Sequence, residues 1–162
     1  MQHKKGKTGF TVVELLIGLT ITAVLLTAVA VAFNASVINY RENEKIFQSI
    51  NNARQALFRM TTQLRTGDCV DPNAPSNQCS FFTADGQDIT YEFRSAGNKL
   101  YLVTNSDGNE YVLCDNVTST NFIKTPTDDG DCKSVQISMT VDAGGLQRTL
   151  SAAAVIRKNL QL

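Results

Sequence analysis

The run from Phe10 to Phe33 constrains this chain more than any other feature. Across those 24 residues there is no Lys, Arg, Pro, Asn or Gln, and Glu14 is the single charge. As a helix rising 1.5 Å per residue, the run is about 36 Å long. That crosses a hydrocarbon core of about 30 Å with some tilt. Lys4, Lys5 and Lys7 precede it, and basic residues on that flank predict an N-terminus inside and a C-terminus outside. Ala30-Val31-Ala32 offers the small-x-small pattern of a cleaved secretory signal. Against that reading, the apolar stretch of such a signal spans about 7–15 residues; this run is longer and carries an acid. A carboxylate at the centre of a bilayer helix costs about 2.5–3.5 kcal/mol on insertion scales. Glu14 lies four residues into the run, about 6 Å along the axis. Either it snorkels to the inner interface or it awaits a cationic partner.

Bulk composition hides this asymmetry. The 162 residues carry 15 basic and 15 acidic side chains and a mean hydropathy of −0.11. Residues 1–9 are net +3, 10–33 net −1, 34–66 net +3 and 67–162 net −5. Bulk charge therefore argues against a strongly basic polyanion binder. The single His, His3, leaves little scope for a His-centred catalytic triad.

Helical periodicity continues beyond the apolar run. Ile46, Ile50, Ala53, Leu57, Met60 and Leu64 follow one another at spacings of three and four, one stripe on a helix. No Pro interrupts residues 10–66, and Thr66-Gly67 supplies a stop with Arg65 near the negative helix end. The spacing predicts one helix over 10–66, about 85 Å long, whose outer half lies on a sheet.

Lys7-Thr8-Gly9 followed by Phe10-Thr11-Val12-Val13-Glu14-Leu15-Leu16-Ile17 resembles the leader and mature start of type IV pilin-like proteins. That family includes the pilins of type IV pili and the pseudopilins of type II secretion. The resemblance covers roughly the first 25 residues beyond the leader's start. It implies an α+β pilin-like fold, a long N-terminal helix with its outer half packed on an antiparallel β head. It implies a prepilin peptidase that cuts between Gly9 and Phe10 on the cytoplasmic face and methylates the new amine of Phe10. It also implies that Glu14 pairs with the N-terminal amine of a neighbouring subunit, so that two costly buried charges neutralise each other in one axial register. Many major pilins of that family carry a Pro partway along the membrane helix, whereas none precedes Pro72 here. The departure favours a minor pilin or a pseudopilin.

The organisation expected is a cleaved cytoplasmic leader at 1–9, a transmembrane half-helix at 10–33, an extracytoplasmic half-helix at 34–66 and a β-rich head at 67–162. Beyond Gly67 the apolar period becomes two. Ile89, Tyr91 and Phe93 share a face, and Leu100 to Thr104, then Glu110 to Cys114 after Asp107-Gly108, read as further strands. Val135, Ile137, Met139 and Val141 alternate, and Gly144-Gly145 turns the chain into Gln147 to Arg157. The pattern predicts one antiparallel sheet of about five to seven strands. Ile89 to Phe93, Leu100 to Leu102, Val112 to Val117 with Phe122, and Val155 to Asn159 resemble the J-type minor pseudopilins and W-type minor pilins.

Cys69, Cys79, Cys114 and Cys132 all follow the apolar run, on the side predicted to be oxidising, and an even number there points to two disulfides. Three connectivities exist. Cys69–Cys79 with Cys114–Cys132 is favoured because both would close polar, turn-rich loops. No Cys-x-x-Cys pair or neighbouring His supports zinc. Asp128, Asp129 and Asp131 offer oxygen ligands for calcium, as some pseudopilins of the resembling family bind it. Their spacing does not match an EF-hand, and a solvated acidic turn is the expectation, with no metal.

Three function classes compete. The first is a structural subunit, a minor one, of a pilus or secretion pseudopilus. Its partners would be prepilin peptidase, other pilins or pseudopilins, an inner-membrane assembly platform and the membrane itself, with no nucleic acid. It would start as a single-pass inner-membrane protein with its C-terminus outside and move into a filament. The second is a filament-tip module binding DNA, a surface or secreted cargo; for DNA, Lys99, Lys124 and Lys133 are scattered along an acidic head. The third, an enzyme, finds no support: no nucleophile elbow, Gly-rich phosphate loop or metal signature is present, and His3 would leave with the leader. No catalytic residue and no cofactor are expected.

Overall fold

A computed structural model of the protein describes residues 9–128 and 130–159. One helix, α1, runs Val12–Thr66, starting two residues later than the apolar run because Thr11 stands at its cap. The chain divides into two compact units, Met1–Glu42 and Asn43–Leu162. The boundary falls inside the helix, so the second unit includes the last part of α1 as well as the β-rich head.

In the first unit, all described residues but Val37 are exposed. The large apolar side chains from Val12 to Phe33 range from 54% exposed at Ile17 to 75% at Val12. A helix apolar all round needs an apolar surrounding on every side, and α1 is long and apolar enough to cross a membrane.

The second unit has an ordinary interior. Here α1 buries one stripe: Ala53, Ala56, Leu57, Met60, Thr61 and Leu64. Ile46 and Ile50, at the start of the predicted stripe, are only half-buried. Met60 and Leu64 are fully enclosed, and burial of side chains this size contributes about 1.5–3 kcal/mol each. The Thr61 hydroxyl turns back to donate to Leu57 O at 2.9 Å and Phe58 O at 3.0 Å, so the stripe carries a polar group at little cost.

The described residues form seven antiparallel strands, in two sheets rather than the single sheet expected. The first sheet is ordered β1 (Gln78–Phe82), β2 (Asp88–Arg94), β3 (Lys99–Thr104), β4 (Glu110–Cys114). The second is ordered β5 (Val117–Pro126), β6 (Cys132–Ala143), β7 (Leu146–Val155). The break falls at Asn116, whose φ of 57° turns the chain out of β4. Its carbonyl accepts Asp142 N–H at 2.8 Å, and Val117 N–H donates to Asn98 O at 2.9 Å. Those two bonds start β5 alongside β6 and end the first sheet. A short 3₁₀ turn at Arg157–Asn159 closes the described chain.

The two sheets and α1 share one core. Phe81, Ile89, Tyr91, Leu100 and Leu102 enter it from the first sheet; Phe122, Val135, Ile137, Met139, Val141 and Ala154 enter from the second. Tyr91 donates its hydroxyl proton to Gln63 Oε1 of α1, satisfying a buried phenol. Burial raises the pKa of that phenol, and Arg59 opposes the shift.

Two glycine positions fix how the chain turns. Gly144 and Gly145 have φ of 67° and 85°, and Ala143 pairs directly with Leu146, so the β6–β7 hairpin closes through two left-handed residues as a type I′ turn. Helix α1 does stop at Thr66, before Gly67, but Gly67 is absent from the positive-φ residues. Its role is clearance: a Cβ there would lie 2.7 Å from Phe81 Cδ2 and 3.0 Å from Phe82 O. Gly67→Ala should therefore destabilise the second unit by about 1–3 kcal/mol. Denaturant unfolding of the full chain in detergent, followed by near-ultraviolet circular dichroism, measures it; an unchanged midpoint would show that the close approach is relaxed at no cost.

Candidate processing and assembly site

The N-terminal edge of α1 gathers the residues that the sequence singles out. Gly9 and Phe10 precede the helix in irregular, exposed chain. A side chain at Gly9 would meet nothing within 4 Å, and Phe10 is 84% exposed. The peptide bond between them lies outside the helical hydrogen-bond ladder, whose bond at this end runs from Leu15 N–H to Thr11 O at 3.2 Å. Exposed backbone free of such bonding is what a peptidase requires.

Thr11 and Glu14 form a reciprocal cap. Glu14 N–H donates to Thr11 Oγ1 at 3.2 Å, while Thr11 N–H donates to Glu14 Oε2 at 3.0 Å. The Thr11 hydroxyl also donates to Oε2, at 3.0 Å. This is the capping box, with Thr at the N-cap and Glu three residues on. It satisfies two backbone donors that the first helical turn otherwise leaves open. The acid also lies at the positive end of the helix dipole. Thr11 is the functional residue that sequence reasoning missed. Its signal, Thr-x-x-Glu before an apolar run, stands plainly in the chain.

Chemically, the arrangement presents one accessible peptide bond and one ordered carboxylate. A cut at that bond would leave an amine on Phe10, next to Thr11 and four residues before Glu14. Glu14 is then an acid already held by its own first turn and able to accept a cation.

The other predicted residues lie elsewhere. Cys69 is exposed, with a φ of 51°, whereas Cys79, Cys114 and Cys132 are buried. Cys114 pairs with Leu100 at the end of β4, next to the Asn116 corner that bonds Asp142. Cys132 pairs with Pro126 at the opposite end of β6 from Val141. Strands rise about 3.3 Å per residue, so nearly the whole length of β6 separates Cys114 from Cys132, and the fold does not bring that favoured pair together. Cys69 and Cys79 lie on neighbouring stretches, since Asp68 bridges Phe82, but one points to solvent and the other to the core. Burial pushes the Cys79 thiol up to about 12 and the Cys114 thiol up to about 11.

Asp128 is exposed, and Asp129 lies outside the described residues. The Asp131 carboxylate accepts from Cys69 N–H at 3.1 Å and Cys132 N–H at 2.6 Å, so it braces the turn. Ligand atoms of Asp68, Cys69 and Asp131 lie within 4.8 Å of one another. Asp68 is engaged by Lys158 Nζ at 2.9 Å, which holds its carboxyl below the usual range. These residues serve as turn and ion-pair partners.

Residues 4–30 match the family model described as the prokaryotic N-terminal methylation motif. A search of curated proteins gave no match. The match supports a type IV pilin-like prepilin segment at the N-terminal end of the chain. The motif implies processing by prepilin peptidase and assembly with other pilins, and with the apolar helix it fits membrane anchoring.

Thr11→Ala should remove the cap at a cost of about 1 kcal/mol. In micelles, amide exchange at Glu14, whose N–H loses its Thr11 Oγ1 acceptor, should then quicken roughly fivefold, that energy expressed as a ratio. Unchanged exchange would mean that the cap does not hold the first turn.

Proposed function

We propose that this protein is a minor structural subunit of a type IV pilus or type II secretion pseudopilus. One observation carries the reading. An accessible Gly9–Phe10 bond stands immediately before a capped Glu14, at the head of a helix that is apolar and exposed all round. Prepilin peptidase removes residues 1–9 and methylates the Phe10 amine. Residues 10–33 hold the subunit in the inner membrane, with the C-terminus outside, before it enters the filament.

Assembly then has a specific electrostatic cause. The Thr11 bonds satisfy the Glu14 carboxylate's geometry and leave its charge uncancelled. In an apolar medium the nearest full compensation is a cation, and the amine of a neighbouring Phe10 supplies one. Each charge lowers the cost of burying the other, and the pairing selects one axial offset between helices. The absence of Pro along the membrane run, and the resemblance of several strands to J-type and W-type proteins, support the minor role. The motif family is structural rather than catalytic, and we assign no catalytic residue or cofactor.

Two variants test the reading. Gly9→Val should block processing, seen as an unshifted precursor band when the chain is co-expressed with a prepilin peptidase. Glu14→Ala should insert and be processed normally, yet its incorporation into sheared filaments should fall at least about tenfold, because a buried amine is left unpaired. Normal incorporation of Glu14→Ala would overturn the charge-pairing role, and normal cleavage of Gly9→Val would overturn the processing site.

A further inference from the structure

The interior of the second unit contains two thiols that the sequence assigned to different partners. Cys79 sits on β1 of the first sheet and Cys132 at the start of β6 in the second. Both are completely enclosed and belong to the same core cluster.

One short stretch of chain, residues 69–71, brings them to the same place. On one side, Asp71 N–H donates to Ser80 O at 3.1 Å, next to Cys79. On the other, Cys69 N–H donates to the Asp131 carboxylate at 3.1 Å, next to Cys132. Val70, between them, is buried. From a third direction, Lys124 of β5 reaches over to donate to Ala74 O at 2.5 Å and Pro75 O at 3.2 Å. Phe122 N–H donates to Ser76 O at 2.7 Å, which ties the approach to β1 against β5, the strand that pairs with β6. The two thiols also sense the same charges. Burial is the main cause raising each, Lys124 pulls both down, and Asp71 pushes both up. Cys132 itself adds to the rise at Cys79.

We propose that Cys79 and Cys132 form an interior disulfide that joins the two sheets, and that Cys69 and Cys114 remain thiols. The pairing replaces both loop-closing bridges expected from spacing alone. It also goes beyond the filament reading, because it concerns how the head is locked rather than how it assembles. The step is a thiol–disulfide exchange with a disulfide-bearing oxidant. The two thiols give up two protons and two electrons as the sulfur–sulfur bond forms, and the oxidant's disulfide is reduced to two thiols. Attack requires a thiolate, and burial disfavours one at either cysteine in the closed head. The bond therefore forms while the chain is still open, and the finished core shields it from reductants.

The test uses the full chain in detergent, so it does not depend on cellular location or on filament assembly. The reduced, denatured protein is refolded with a mixture of oxidised and reduced glutathione. Remaining thiols are blocked with iodoacetamide, and peptides are mapped without reduction. The expected result is one linked peptide pair containing Cys79 and Cys132, with Cys69 and Cys114 alkylated. A Cys69–Cys79 or Cys114–Cys132 pair, or alkylation of all four cysteines, would overturn the inference. The double variant Cys69→Ser with Cys114→Ser keeps the core cysteines and guards against misfolding. It should retain the faster migration of the unreduced protein on a denaturing gel; loss of that shift in this variant would count against the bridge as firmly as the map.

Discussion

The structure depends on how a single carboxylate is accommodated in an apolar run that carries no other charge. Glu14 is the only charge between Phe10 and Phe33. Two of the bonds it receives come from Thr11, and both fall on Oε2. Hydrogen bonds to an ionised acceptor are stronger than neutral ones, so the cap fixes where α1 begins and how the acid is oriented. It does not remove the charge. The same residue can therefore set the start of the helix within one chain and, on the proposed reading, the offset between chains. These are separate jobs, one done by donors and the other by a cation.

The helix that follows is made for two surroundings. Up to Phe33 its apolar residues occupy every face, and none is buried by the protein. From Ala53 the apolar residues narrow to one stripe, and the opposite face carries Arg54, Arg59 and Arg65 with exposed Phe58. Nothing interrupts the backbone ladder between the two regions, because no Pro occurs before Pro72 and Gly18 is the only Gly within α1. A Pro would remove one helical bond and strain the preceding turn. Continuity is thus a property of composition, whereas what each region packs against is a property of pattern.

Much of this was legible because it repeats. The 24-residue run, the three-and-four spacing from Ile46 to Leu64 and the alternation in β2, β3, β6 and β7 each sum a weak preference over many residues. What stayed hidden was local or interrupted. β1 has only five residues and follows a stretch rich in Pro, Asn and Ser. In β5 a register shift between Val117 and Ser119 breaks the phase. Val117, Thr120 and Phe122 point inward, a spacing of three and then two that no strict alternation reveals. Thr120 also buries a hydroxyl with no hydrogen-bond partner among the described residues, so a polar residue stands where pattern reading looks for an apolar one. The division into two sheets rests on a single left-handed residue, Asn116. The cap at Thr11 is readable from spacing alone, since Thr11-x-x-Glu14 precedes an apolar run.

The acidic head also uses its cations internally. Arg94 bonds Glu110 through both terminal nitrogens, at 2.8 and 2.6 Å, contacts Glu92 at 2.7 Å and lies 4.7 Å from the centre of the Tyr101 ring. Those carboxylates hold its guanidinium firmly protonated, and Arg94 in turn lowers the pKa of Glu110. Lys158 is paired with Asp68, Lys99 lies 3.6 Å from Asp115, and Lys124 is spent on two backbone carbonyls. Exposed pairs of this kind add little to stability. Their larger effect is on the outward field, since a cation facing its own carboxylate presents little net charge to a distant phosphate. Lys99 and Lys124 are two of the three lysines that a DNA-binding reading needs. Both are held by groups of the head itself, Lys99 beside a carboxylate and Lys124 on carbonyls.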